Sequence, residues 1–400
     1  MILPERKNIF LIWLAQLISS AGDAIYQIAL IWLVLDITGS NTITGLVVLG
    51  AHLPAMIFGL MAGVIADRYN RIRLMLLSNF SQAFTVILIP ILLSLGYENV
   101  YLIGILAFVR SSFGTIFPPA LNAFIPTIVP ANYLVRVNSL LATSAQLAYL
   151  IGPATAAILL NLISLKHLFT IDSATFLLAL VLLSFIRSPK KITPQKPESS
   201  HTWGELKQGL VYIRQQSTIG VIIVLTIINN LFIMGPAIVG MPILVKSALN
   251  GSASDYAAIE ACYAIGMLIS SFVIFRIGDR FRKGRMLMLG MIVDGLTFCG
   301  LYFINSIPVV MVMIIIHALG IPMITISRTA IIQSYVPNKL QGRIFSMIHL
   351  AVVGLTGVSS ALVGIVSDII PIKTVFLLIG IGAAICGIIG LLYRSIRSLK

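Results

Sequence analysis

Charge is scarce in this sequence. Only 10% of its 400 residues are Asp, Glu, Lys or Arg, and just 13 are acidic. A soluble domain carries roughly 25% charged residues. With so few, polar side chains cannot cover a globule of this size, and lipid must replace water over much of the surface. Cysteine is nearly absent as well. Cys262, Cys299 and Cys386 lie singly inside apolar runs, with no metal spacing and no disulfide framework, so they read as small buried hydrophobes. No Gly-x-x-x-x-Gly-Lys-Ser/Thr stretch is present to cradle a nucleotide, which excludes ATP as the driving force. Paired His/Glu metal spacing and a nucleophile elbow are also missing, so the expectation is no cofactor, no metal and no enzyme chemistry.

What is present is apolar sequence, 58% of the chain. It falls into twelve runs of about 20 residues, from 8–35 to 371–393, each long enough to span a bilayer. Continuous runs of that length cross lipid only as helices. The expected fold class is therefore all-α membrane protein with twelve transmembrane helices. The first run is too long for a signal-peptide core and reads as an uncleaved span.

The net charge of +14 would suit a nucleic-acid binder, but the basic residues sit in short clusters between spans and form no nucleic-acid face. With the N-terminus inside, only Lys166, Lys246 and Lys373 fall in outer segments, and Arg110 and Arg328 lie within spans. The remaining Lys and Arg are all cytoplasmic, which orients the chain in the cytoplasmic membrane with both termini inside.

One long connection, 188–217, separates a first group of six spans (1–187) from a second (218–400). It opens as a Pro- and Lys-rich linker. It continues with a capping-box pattern, Thr202-Trp-Gly-Glu205, and Trp203, Leu206, Leu210 and Ile213 on one helical face. This predicts an amphipathic helix on the membrane surface. The two groups repeat. Asp67-Arg68 recurs as Asp279-Arg280, and Val129-Pro130 as Val336-Pro337. Two like-oriented sextets are parallel repeats, and transporters bind substrate between such repeats near mid-depth.

The loop after span 2 reads Gly63-Val-Ile-Ala-Asp67-Arg68-Tyr-Asn70-Arg71-Ile-Arg73, and the loop after span 8 reads Gly278-Asp279-Arg280-Phe-Arg282-Lys283-Gly284-Arg285. The first resembles the signature loop of the major facilitator superfamily. Asn70 stands where that pattern has a glycine, a replacement expected because Asn also tolerates left-handed backbone. The second is a degenerate copy. The resemblance implies the major facilitator fold, two parallel six-helix repeats, with these loops as a charged cytoplasmic latch. Span 5 carries Gly152-Pro153-Ala-Thr-Ala156-Ala157, which resembles the motif of proton-coupled exporters with Ala156 and Ala157 in place of a glycine pair; small residues keep close helix packing. Trp13–Gln16, Gly59–Arg73 and Ser112–Pro130 resemble the macrolide-efflux permeases, most densely within 1–190. The implied activity is proton-coupled efflux of a small amphiphilic substrate. A siderophore, lysolipid or nutrient carrier of the same fold, and more remotely a transport-dead sensor or intramembrane enzyme, are the alternatives.

A charge at mid-bilayer costs about 2.5–3.5 kcal/mol even on lenient scales and needs a reason. Asp23 lies near the middle of span 1. Gln16, Ser20, Asp23 and Gln27 recur at steps of four, three and four, one polar stripe on one face. Arg110 lies at mid-depth of span 4, four residues before Gly114, and resembles the family arginine linked to proton coupling. The reading is that Asp23 carries the proton with Arg110 as its partner, and that Gln16, Ser20, Tyr26, Gln27 and His317 line the substrate cavity. Asp294 is expected to make a structural pair, and Asp172 and Glu260 to be solvated near outer membrane ends.

Overall fold

Lipid offers a backbone no hydrogen-bond partner, so every span must satisfy its own amides. The computed structural model describes residues 6–130, 133–186 and 210–399, and twelve of its helices are long and apolar enough to cross a membrane. Spans 1 to 3 are Arg6–Thr38, Asn41–Arg68 and Arg71–Ser94; spans 5 and 6 are Leu134–Leu159 and Lys166–Ser184. Spans 8 to 12 are Ala253–Ile277, Lys283–Leu301, Ile307–Tyr335, Asn338–Ser367 and Ile372–Leu392. The linker helix expected from Thr202 lies outside the described residues except for its end, 210–215, which is helical.

Two spans are less regular than their hydropathy suggests. Span 4 is two helices, Val100–Gly114 and Phe117–Ile128, because Pro118 and Pro119 lack the N–H groups that would continue the ladder. Span 7 starts as Ser217–Gly235 and passes through wide π turns at Pro236–Gly240 and Leu244–Ala248. At that transition Ser359 of span 11 repairs the ladder: its hydroxyl donates to the Leu231 carbonyl (2.5 Å) and accepts from the Gly235 N–H (2.8 Å).

The helices gather into two units, Met1–Gly39 with Gly50–Glu198, and Ser40–Leu49 with Ser199–Lys400. In the first, span 1 packs on spans 5 and 6, and span 3 on spans 4 and 6. A core of Ile12, Met75, Phe124, Ile125 and Leu183 fills one end. In the second, span 9 packs between spans 10 and 12, and span 7 on spans 11 and 12. Its core includes Leu287, Met288, Met291, Ile331 and Cys386.

The first turns of span 2 belong to the second unit for a visible reason. Asp368, just past span 11, accepts hydrogen bonds from the N–H of Asn41 (3.2 Å) and of Thr42 (3.0 Å) and from the Ser40 hydroxyl (3.5 Å). It thereby caps the positive end of span 2. Behind it, a Cβ on Gly45 would lie 2.6 Å from the Ser360 carbonyl, and one on Gly364 would overlap the Asn41 carbonyl, so both glycines permit the crossing. Burial acts to raise the Asp368 pKa, but the bonds from Thr42, Asn41 and Ser40 outweigh it and hold the carboxyl below the ordinary aspartate value. A depressed carboxylate stabilises above the ordinary pKa and loses that contribution only as pH falls through the depressed value. Asp368→Ala is therefore expected to lower stability by about 1 kcal/mol, equally at pH 6 and pH 8, as read by thermal unfolding of purified protein. Unequal losses at those two pH values would contradict the cap.

Candidate functional site

Three helices of the first unit converge on one guanidinium. Arg110 makes an ion pair with Asp23 of span 1, and its Nη2 also lies 3.6 Å from Oδ2 of Asp172 on span 6. The Arg110 side chain is 14% exposed and that of Asp172 is 0%, whereas Asp23 is 46% exposed. Neither carboxyl oxygen of Asp172, nor Nε of Arg110, has a hydrogen bond of good geometry among the described residues. The guanidinium lies over the Tyr26 ring at 3.9 Å and 5.4 Å from the Phe176 ring centre. Such contacts are worth about 2 kcal/mol when desolvated. Tyr26 meets Phe169 edge-on at 5.6 Å, so the platform is itself held.

Local sequence explains the convergence. A Cβ on Gly22 would overlap Thr175 Oγ1 and lie 2.6 Å from Asp172 Oδ1. Glycine beside Asp23 thus lets span 6 bring Asp172 against span 1. On the other flank a Cβ on Gly152 would lie 2.7 Å from Ala24 Cβ and 2.8 Å from the Ala21 carbonyl, so span 5 seats against the same turn. Ala156, one turn on, is 0% exposed, and Ala157 accepts a hydrogen bond from the Asn161 amide at 2.8 Å. The Gly152-Pro153 stretch packs as small residues should.

The stripe on span 1 has an open side. Gln16, Ser20 and Asp23 are partly exposed and Gln27 exposed, while Ser19, Gly22 and Ile25 between them are buried. Two expectations are corrected. Tyr26 is 4% exposed and lies beneath Arg110 instead of lining a cavity, its ring meeting Phe169 edge-on. His317 is 1% exposed and stacks on Phe298 at 4.3 Å, within the second unit. A third correction concerns Asp172, expected to be solvated and found sealed on Arg110. The available signal was Asp172-Ser173-Ala-Thr175, a polar cluster beginning six residues, about 9 Å of helix, inside span 6.

At the loop after span 2, Asp67 and Arg68 are exposed and make no ion pair among the described residues. Nε of Arg71 is buried without a hydrogen-bond partner among the described residues, and a side chain at Gly63 would meet nothing within 4 Å. Asn70 does not replace a left-handed glycine. With φ −65° and ψ 115° it is the N-cap of span 3, accepting from the Arg73 N–H at 3.1 Å. Gly278–Arg280 forms a single 3-10 turn, and Arg280 is exposed.

The second unit holds its own buried polar group. Asp294 is 0% exposed, with its Oδ1 3.9 Å from Nδ1 of His317. The Thr297 hydroxyl donates to the Val293 carbonyl (2.7 Å) and lies 3.0 Å from the same ring nitrogen. Nε2 of His317 and both Asp294 oxygens have no hydrogen bond of good geometry among the described residues. Where a structural pair is expected for Asp294, the two side chains lie 3.9 Å apart without a hydrogen bond between them.

A family model described as "Transmembrane secretion effector" matches residues 2–398. Macrolide efflux protein A of Streptococcus pyogenes is 25% identical over 345 residues, 86% of this chain and 85% of its own length. The multidrug efflux pump Tap of Mycolicibacterium fortuitum is 20% identical over 403 residues, 99% and 98% of the two chains. Among solved structures, a D-xylose-proton symporter superposes with a TM-score of 0.76 at 12% identity, over 97% of this chain and 97% of that one.

Proposed function

Because this chain belongs to the transmembrane secretion effector family of major facilitator transporters, and is a multi-pass membrane transporter and not an enzyme, we infer that it exports amphiphilic compounds of the macrolide type in exchange for protons. The observation that carries the coupling is one guanidinium facing two carboxyls, one half-exposed and one sealed. Fully ionised, the three groups sum to −1 in a site where charge is costly. A single proton shared by the two carboxyls balances them. Asp23, on the open stripe, exchanges that proton with water, and Arg110 passes the change in charge to Asp172. The Gln16, Ser20 and Gln27 face is the natural wall for substrate. The likeness to a macrolide efflux protein and a multidrug pump supports the substrate class. The lopsided Lys and Arg distribution supports the cytoplasmic membrane with both termini inside. Asp67, Arg68 and Arg71, which make no ion pair among the described residues, supply the charges of a latch at the cytoplasmic face.

Everted vesicles test the reading. With an imposed proton gradient, acid inside, they are expected to accumulate erythromycin, and to lose it when nigericin collapses the gradient. Accumulation that survives nigericin, or that follows a sodium gradient alone, would refute proton exchange.

A further inference from the structure

We propose that the second unit binds one anionic phospholipid, with an acyl chain in a groove between spans 8 and 10 and its phosphate on Arg280, Arg282 and Arg285. The groove has a volume of about 670 Å³, within the roughly 300–1,000 Å³ of ordinary small-molecule sites. Its walls are apolar: Ile269, Val273 and Ile277 from span 8, Leu289 from span 9, and Leu319 and Met323 from span 10. Ile269 and Leu289 are each 46% exposed, so in a membrane the groove faces hydrocarbon. Ser270, a polar side chain in the lining, donates its hydroxyl to the Leu319 carbonyl at 2.7 Å. That bond ties spans 8 and 10 together at the deep end and leaves no hydroxyl for a polar ligand.

Length and charge select the occupant. From Ile269 to Ile277 the wall rises about 12 Å, most of one leaflet's share of a hydrocarbon core about 30 Å thick. The mouth opens where span 8 ends, on the side that the Lys and Arg distribution makes cytoplasmic. Of the cations there, Arg276 lies over the Phe272 ring at 5.2 Å, and Lys283 donates to the Gly278 carbonyl at 3.3 Å. Arg280, Arg282 and Arg285 are exposed, line the groove and make no ion pair among the described residues. An arginine fork matches a phosphate in geometry and charge. A zwitterionic headgroup would add an ammonium among three guanidiniums, so the site favours phosphatidylglycerol over phosphatidylcholine. Basic pockets between spans are known to hold acidic headgroups in general.

The test is native mass spectrometry of the detergent-purified full chain, titrated separately with phosphatidylglycerol and with phosphatidylcholine of the same acyl chains. Wild type is expected to retain one phosphatidylglycerol in clear preference. The triple variant Arg280→Gln, Arg282→Gln, Arg285→Gln is expected to lose about a hundredfold in that affinity, at about fivefold per arginine, and to lose the preference. Leu289→Trp, which keeps every charge and fills the groove, is expected to weaken retention too, and it stands in if the triple variant does not fold. Equal affinity for the two lipids, or retention unchanged in both variants, overturns the proposal. So does displacement of the lipid by millimolar inorganic phosphate with Leu289→Trp silent, which would mark a phosphate site without an acyl slot.

Discussion

Asp172→Asn is expected to abolish proton-driven accumulation in everted vesicles, down to the level of vesicles without the protein. The same variant should still exchange external for internal drug when both sides are at equal pH. The asparagine is nearly isosteric and keeps the cluster neutral with Arg110 and Asp23 ionised, so the transporter can fold and move. What it removes is the second carboxyl, and with it the site's need for a proton. A variant that exchanges but does not concentrate therefore separates coupling from folding. Wild-type accumulation in Asp172→Asn would show that this buried acid is a spectator and that Asp23 alone suffices.

The second large effect concerns Arg110. Arg110→Leu is expected to cost about 3–5 kcal/mol, because removing one member of a buried charge cluster leaves its partners uncompensated. Here it would leave two carboxyls facing each other across span 1 and span 6, beside a Tyr26 ring that has lost its cation. The double variant Arg110→Leu, Asp172→Asn should regain a substantial part of that loss, a coupling that a double-mutant cycle reads directly. Arg110→Lys should fall between, since an ammonium keeps the charge but lacks the planar fork that reaches both acids and lies on Tyr26. Additive losses in the cycle would mean that Arg110 and Asp172 do not interact energetically.

The two repeats treat the same depth differently. Arg110 corresponds to His317 at the repeat offset. The first unit surrounds its cation with Asp23 and Asp172, and the second sets His317 beside one carboxyl among the described residues, Asp294. An arginine stays charged at any accessible pH, whereas an imidazole can be neutral. The first cluster therefore always holds a charge that must be balanced, and the second can be neutral throughout.

Some of this molecule was legible from residues alone. Twelve spans follow from hydropathy because lipid leaves the backbone no alternative to the helix, and the Asp23–Arg110 pair follows because neither charge could stand in a bilayer unaccompanied. The small residues around Gly152 announced a close crossing without naming Ala21 and Ala24 as the other side. Tertiary structure alone decided the rest. Which way a side chain turns about its helix, and how deep it sits, depend on the neighbouring helix, which no periodicity contains. That is why Tyr26 proved a platform, Asp172 a sealed acid and Asn70 a helix cap. The clasp of Asp368 on the start of span 2 joins residues 327 positions apart, a relation no local pattern could supply. Hydrophobic pattern specifies which segments enter lipid; packing specifies which polar groups meet there, because each buried charge is satisfied only by what another helix brings to it.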